Sequence, residues 1–298
     1  MGRAHPLAGP SLLLLLISLV FGCGEGAAPG VGDAASANLE EVVVVTDQAG
    51  HTLRLLEPPT RIISLVPAAT GIILALGEGE RLVGRTDYDE QPELESLPSV
   101  GGGLHPSLER LISLEPDLVI RFEGDQDRAT PETLDRIGIA HLAVRPDRIE
   151  DIREMARILA ATLDRGGTGE ALLRRLEREL DEVRDRVRDE PRPQVVFLLG
   201  GDPPWLVGPE TFLHELLEIA GGENAMADLG APLYAPVSVE EIAQREVDVI
   251  LVLEGARVPS ALQQLPIVRV PDGVESPGVG LGESAREISR LLHPDRWP

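Results

Sequence analysis

Few side chains in this sequence are suited to gripping a ligand, and three of them stand where gripping is their simplest use. The chain of 298 residues has only two Tyr, two Trp and four Phe. Tyr88 sits among Asp87, Asp89 and Glu90, Trp205 follows Pro203-Pro204, and Tyr234 lies in a segment with no apolar period. A periodic aromatic usually builds core. One outside any period offers large contact area at little rotamer entropy, which suits a broad, flat ligand. Trp297 reads as packing. Of the six histidines, none pairs with another His, Cys or carboxylate at metal-ligand spacing on one helix face. His105, in a loop of the first half, is the candidate for a haem or metal contact, and His214 reads as a helix packing or surface residue. Catalytic signatures are missing: there is no Gly-x-Ser-x-Gly elbow, no phosphate loop and no Cys–His couple. Asp87 and Asp89 are too close in one loop to serve as an acid/base pair. These residues describe a binding module rather than an enzyme, with a hydrolase or lyase on a two-lobe scaffold as the alternative class.

A second kind of chemistry comes from a repeated pattern. Residues 108–120 (LERLISLEPDLVI) and 239–251 (VEEIAQREVDVIL) share three acids: Glu109 with Glu240, Glu115 with Glu246, and Asp117 with Asp248. Each copy reads as a short helical turn followed by a buried strand. The segments 75–81 and 219–224 add a second correspondence, each ending an apolar helix on glycine before the repeat. Two related lobes follow from this order. At helical spacing Leu108 and Leu111, like Val239 and Ile242, point inward, so Glu109 and Glu240 point outward. The plain reading is two solvated acids. The sharper one is a matched pair of anionic knobs, one per lobe, for basic sockets on a two-fold partner.

Composition sets the limits. The net charge is −23, and all 27 basic residues are arginine. Such acidity argues against nucleic acid or an anionic membrane surface as a partner. One cysteine excludes an internal disulfide and a thiolate metal cluster. That residue, Cys23, follows Arg3 and an apolar run over 12–21, about half the roughly 20 residues needed to span a bilayer. Residues 1–22 therefore read as a signal peptide. The Val-Phe-Gly-Cys ending resembles the lipobox of bacterial lipoproteins, which would make Cys23 a lipidated first residue at an extracytoplasmic membrane face. An ordinary secretory signal with an incidental cysteine is the alternative. Residues 23–38 then carry the lipid and a Gly/Ala-rich tether.

The remaining chain supplies elements to position these residues. Residues 39–59 hold a hairpin, with strands at 42–46 and 52–56 around a loop containing Gly50. Apolar strands at 62–66, 118–120, 141–144, 195–199, 249–253 and 268–270 alternate with helices at 71–76, 131–137, 149–163, 212–220 and 283–292. This alternation predicts an α/β fold with mainly parallel sheets. Over 169–189, Leu172, Leu173, Leu176, Leu180, Val183 and Val187 form one apolar face, with Thr168 as the expected cap. A helix of that length spans about 30 Å and reads as a rigid strut between an N-lobe (60–165) and a C-lobe (191–298), the linking segment being 166–190. A ligand cleft belongs between the lobes, at the carboxyl ends of the strands. A monomer is expected.

These residues resemble the periplasmic cobalamin- and siderophore-binding proteins of ABC importers, the cobalamin branch most closely. The resemblance rests on Arg61-Ile-Ile-Ser-Leu-Val-Pro67, Gly84-Arg-Thr-Asp-Tyr88, Leu108-Glu-Arg-Leu111, Glu115-Pro-Asp-Leu-Val-Ile120, Asp202-Pro-Pro-Trp205 and Ala220-Gly-Gly-Glu-Asn224. It implies two α/β lobes joined by one long helix, with little hinge motion. It implies that Tyr88, Trp205 and Tyr234 line a cleft for a corrinoid, carried rather than used as a cofactor, with haem or a ferric siderophore as alternative cargo. By the same resemblance, Glu109 and Glu240 dock on arginines of the permease subunits. A ligand-sensing lipoprotein is a further alternative. Two departures stand out: glycines at 101–103 where a cleft tryptophan is expected, and Ser276-Pro-Gly-Val-Gly280 where a basic residue is common. Both imply a roomier, less cationic pocket.

Overall fold

The computed structural model describes residues 43–230 and 233–297. The expected signal segment, Cys23 and the tether lie outside the described residues.

The hairpin comes first: β1 (Val43–Thr46) and β2 (Thr52–Leu55) pair antiparallel. Its turn is anchored to the N-lobe. Ala143 N donates to Asp47 Oδ2 (2.9 Å), and Arg145 N donates to Gln48 Oε1 (2.7 Å).

The N-lobe contains β3 (Ile62–Ser64), α1 (Pro67–Ala75), β4 (Leu82–Gly84), α2 (Leu108–Ser113), β5 (Leu118–Phe122), α3 (Ala129–Ile137), β6 (Ala140–Val144) and α4 (Ile149–Thr162). Its four strands run parallel in the order β4-β3-β5-β6. Period-two alternation splits the strand residues between two faces. Ile62, Ile120, Leu142 and Val144 meet α1 and α4, while Ile63, Leu65 and Val119 meet Leu111 of α2 and Leu134 of α3.

The expected strut is α5 (Gly166–Arg186), with Leu176, Leu180 and Val183 buried. Its start differs from the expectation: Thr168 lies inside the helix, Arg165 holds the N-cap position, and no side chain caps that end. Packing explains the early start. A β-carbon on Gly169 would fall 2.4 Å from the Ala160 β-carbon, so α4 and α5 touch almost backbone to backbone here. Buried Glu78 holds the same corner from below, accepting from Arg81 and Arg165.

The C-lobe contains β7 (Gln194–Gly200), β8 (Trp205–Val207), α6 (Phe212–Ile219), β9 (Glu223–Asn224), β10 (Tyr234–Pro236), α7 (Val239–Ala243), β11 (Val249–Leu253), β12 (Ile267–Val270) and α8 (Leu281–Leu292). Strands β7, β9, β11 and β12 are parallel, whereas β8 and β10 add antiparallel strands. This sheet is therefore mixed. Residues expected as plain loops around Trp205 and Tyr234 form those two strands, with Pro236 opposite Trp205 and Tyr234 opposite Val207. Helix α8 closes the lobe against α5: a β-carbon on Gly282 would meet Glu179, and Arg286 pairs with Glu182 (3.6 Å). Trp297 packs as expected, under the Arg186 guanidinium at 4.1 Å.

The internal repeat has a structural meaning. Ser107 and Ser238 cap α2 and α7 by accepting from the third residue on. Asp117 accepts from Thr60 N (2.8 Å) and Arg61 N (3.0 Å) at the entry to β3, and Asp248 accepts from Gln194 N (2.7 Å) at the entry to β7. The repeated aspartate thus pins the neighbouring parallel strand in each lobe.

Candidate functional site: a cleft between the lobes

The carboxyl ends of the strands from both lobes converge on one cavity of about 360 Å³. The N-lobe supplies Phe122 at the end of β5 and Pro146 and Asp147 after β6. The C-lobe supplies Leu199, Leu253, Phe212, Leu213, Tyr234, Glu275 and Pro277. Alternation along β5 sends Phe122 to the face opposite Arg121. Start-of-helix positions hold Phe212 and Leu213, where Thr211 caps α6 by accepting from His214 N.

The cavity floor also joins the lobes. Phe212 N donates to the Asp147 carbonyl (2.5 Å). Glu215 of α6 accepts from Arg148 Nε (3.1 Å) and Nη2 (2.9 Å) on one oxygen and from Ile149 N (2.6 Å) on the other. That carboxylate sits at the amino end of α4, where backbone dipoles favour negative charge. On the far side, a β-carbon on Gly278 would lie 3.7 Å from the Ala68 carbonyl oxygen, so the loop after β12 reaches the start of α1.

Among the described residues the charged groups lining the site are Asp147 and Glu275, and no Arg or His lines it. Burial, more than any neighbour, pushes the Asp147 carboxyl above its ordinary range; Arg145, 3.9 Å away, opposes this incompletely. The Tyr234 phenol is pushed well above its usual value, first by burial and then by the Asp147 charge. Both groups favour neutral or donor-bearing ligand atoms. Among the described residues, no group of three or more His, Cys, Asp or Glu could hold a metal ion.

The sequence-predicted residues divide. Tyr234 is in the cavity wall. Tyr88 and Trp205 do not line it and stand exposed, at 69% and 45%. Tyr88 lies against Gly102, whose β-carbon would come 3.8 Å from the ring. At Gly103 a β-carbon would fall 2.2 Å from the Leu65 carbonyl oxygen and 3.0 Å from the Phe122 ring, so glycine there admits Phe122 and the end of β3. His105 is exposed and lines no part of the cavity. His214 contacts Asn224 at 3.3 Å, in keeping with a packing role. Glu109 and Glu240 occupy equivalent exposed first-turn positions on α2 and α7, one per lobe, above buried Leu111 and Ile242.

Sequence reasoning missed Phe122, Asp147, Phe212 and Glu275. Phe122 and Phe212 have the signal of core residues, one ending an apolar run and the other opening a helix. Asp147 follows Pro146 at the end of β6, a strand-end position that the cleft rule could have flagged.

Two α/β lobes, one with a parallel and one with a mixed sheet, a strut helix and a cleft at the strand ends define a bilobal binding protein. The periplasmic binding protein family matches residues 62–270, and the chain belongs to it. Among curated relatives, the uncharacterized ABC transporter substrate-binding lipoprotein YvrC of Bacillus subtilis is 26% identical, covering 96% of each chain. A vitamin B12-binding protein of Vibrio parahaemolyticus is 29% identical over 65% of this chain and 70% of its own. Among solved structures, the periplasmic heme-binding protein RhuT from Roseiflexus sp. RS-1, in apo form, is 29% identical with a TM-score of 0.68 over 79% of this chain and 98% of its own. The protein is thus a periplasmic binding protein, and the relatives it resembles are transport components of ABC importers rather than enzymes.

Proposed function

We propose that this protein captures cobalamin or a related corrinoid and delivers it to the permease of an ABC importer. The observation that carries the reading is the cleft charge: Asp147 and Glu275 line it with Phe122, Phe212 and Tyr234, and among the described residues no basic side chain joins them. Haem carries two propionates and ferric siderophores are commonly anionic, so both meet like charge at close range. A corrin rim carries primary amides, whose N–H groups are donors for carboxylates and for a neutral phenol oxygen. The vitamin B12-binding relative supports the same choice. Tyr88 and Trp205 would cover the outer faces of a ligand too broad for the floor cavity alone.

Delivery would use Glu109 and Glu240 as the docking pair, and Cys23 as the lipid anchor holding the protein at the extracytoplasmic membrane face. Among the described residues, no helix is long and apolar enough to cross a membrane.

The test is isothermal titration of the chain lacking residues 1–23 with cyanocobalamin and, separately, with haemin. One-to-one binding at micromolar or tighter dissociation constants for cyanocobalamin, and weaker binding of haemin, is expected. The reverse order would assign the protein to haem and overturn the charge argument. Reversing both docking residues, Glu109→Arg with Glu240→Arg, should abolish uptake and leave the cobalamin affinity unchanged; intact uptake would sink the docking role.

A further inference from the structure

We infer that the outer edge of the N-lobe holds a second small-molecule site, for a zwitterion of amino-acid or dipeptide size whose carboxylate is taken by Arg121. The site lies apart from the transport cleft, because Arg121 and Phe122 point to opposite faces of β5.

Arg121 is only 7% exposed. Its Nε donates to His141 Nδ1 (3.3 Å) and its Nη1 to the Phe122 carbonyl (3.0 Å). Among the described residues it forms no salt bridge, which is unusual for a buried guanidinium. The N–H groups left over on Nη1 and Nη2 have no protein acceptor among those bonds. They face open space instead. Two adjoining cavities, of about 310 and 420 Å³, share Arg121, His51 and Pro131 as walls.

The surroundings orient that guanidinium and select its partner. His141 accepts at Nδ1, so its proton sits on Nε2, facing Asp135 Oδ1 at 3.2 Å. This chain holds the Arg121 plane fixed and leaves its free edge toward the cavities. A planar carboxylate matches such an edge through paired hydrogen bonds. The larger cavity is also bordered by four carboxylates, and three are already engaged. Glu123 faces Arg145 (3.6 Å), Asp125 pairs with Arg128 (3.1 Å), and Asp127 accepts from Thr130 N (3.0 Å). Among the described residues Glu132 has no side-chain partner, and Asp127, held only by a backbone N–H, has no cation beside it. One free cation and two carboxylates without a cation, Asp127 and Glu132, on the walls of one cavity complement a molecule carrying both charges. Phosphate or a dicarboxylate would meet the same four acids with excess negative charge, which excludes them.

The experiment titrates the chain lacking residues 1–23 with glycylglycine, acetate and inorganic phosphate, followed by calorimetry and by the Cε1–H proton signals of His51 and His141. Glycylglycine should bind one-to-one with a dissociation constant of about 1 mM or tighter, acetate at least about tenfold more weakly, and phosphate not measurably. Glu132 is exposed, so Glu132→Gln leaves folding untouched and should weaken glycylglycine severalfold toward the acetate level. Arg121→Gln should abolish all binding. Cyanocobalamin saturation should change none of these values. Glycylglycine binding no tighter than acetate, glycylglycine affinity unchanged in Glu132→Gln, or no response to any probe at about 10 mM would each overturn the inference.

Discussion

One carboxylate at the joint between the lobes makes two different kinds of contact, and its energetics can be worked from the distances. Glu215 accepts two bonds from Arg148 and one from Ile149 N at 2.6 Å. The arginine side chain is 52% exposed, so that pair is largely screened and contributes about 0.5–1 kcal/mol. The bond to Ile149 N is different in kind. It satisfies a backbone donor at the amino end of α4, with partial burial and the helix dipole in its favour, and contributes about 1–2 kcal/mol. Glu215→Ala should therefore cost about 2 kcal/mol, whereas Arg148→Ala should cost under about 1 kcal/mol. In thermal unfolding of a chain this size, that is a drop of about 4–8 °C against about 1–3 °C. Added salt should shrink the Arg148 effect and leave most of the Glu215 effect. Because the bond to Ile149 N lies beside Phe212 and Asp147 of the cavity floor, cyanocobalamin affinity should fall in Glu215→Ala and hold in Arg148→Ala. Equal losses in the two variants, or a Glu215 effect that salt removes, would refute this division.

Three further outcomes follow from the same geometry. Gly169→Ala should lower the melting temperature despite a helix-propensity gain of about 1 kcal/mol, because the new methyl would lie 2.4 Å from Ala160 and overpacking costs about 1–3 kcal/mol or more; adding Ala160→Gly should restore part of the loss. Asp117→Ala should destabilise more than Asp248→Ala, by about 1 kcal/mol, since Asp117 also takes the Thr60 hydroxyl (2.9 Å) while Asp248 holds one strand-entry N–H. Asp147→Asn should raise stability slightly near pH 7. A carboxyl whose folded pKa is raised contributes its stability fully below the ordinary carboxylate pKa and loses it as pH rises through the folded value, so the charged form is the liability. With its side chain 33% exposed, the gain should be small, on the order of 0.5 kcal/mol, and should vanish near pH 4.

Much of the scaffold was legible because its signals are local. The apolar runs of β5 and β11 are bounded by acids and turns, and the α5 stripe keeps helical spacing over about four turns, so neither needs tertiary information. Strands β8 and β10 escaped because three residues cannot display alternation, and Pro203-Pro204 and Pro236 read as loop. The start of α5 was misplaced for a tertiary reason: Gly169 serves the contact with Ala160, and that overrides the capping preference for Thr168. In the site, Tyr234 was readable as an aromatic without a period. Phe122 and Phe212 were not, since ending a strand or opening a helix looks the same in sequence whether the ring faces core or cleft. Asp147 acquires its character only when α6 is brought against it.

With the small hinge motion that the resemblance implies, the packing of α5 between α4 and α8 would make the molecule a caliper with fixed jaws. Gly169 meets Ala160 on one side, and Gly282 meets Glu179 on the other. Under the docking proposed above, Glu109 and Glu240 then keep one separation whether the cleft is loaded or empty. An importer measuring that span alone would seat both forms equally well, and empty protein would occupy the permease as a competitor. Net delivery would then follow the loaded fraction of the anchored pool rather than its total amount, so overproducing the protein beyond its cargo would slow uptake.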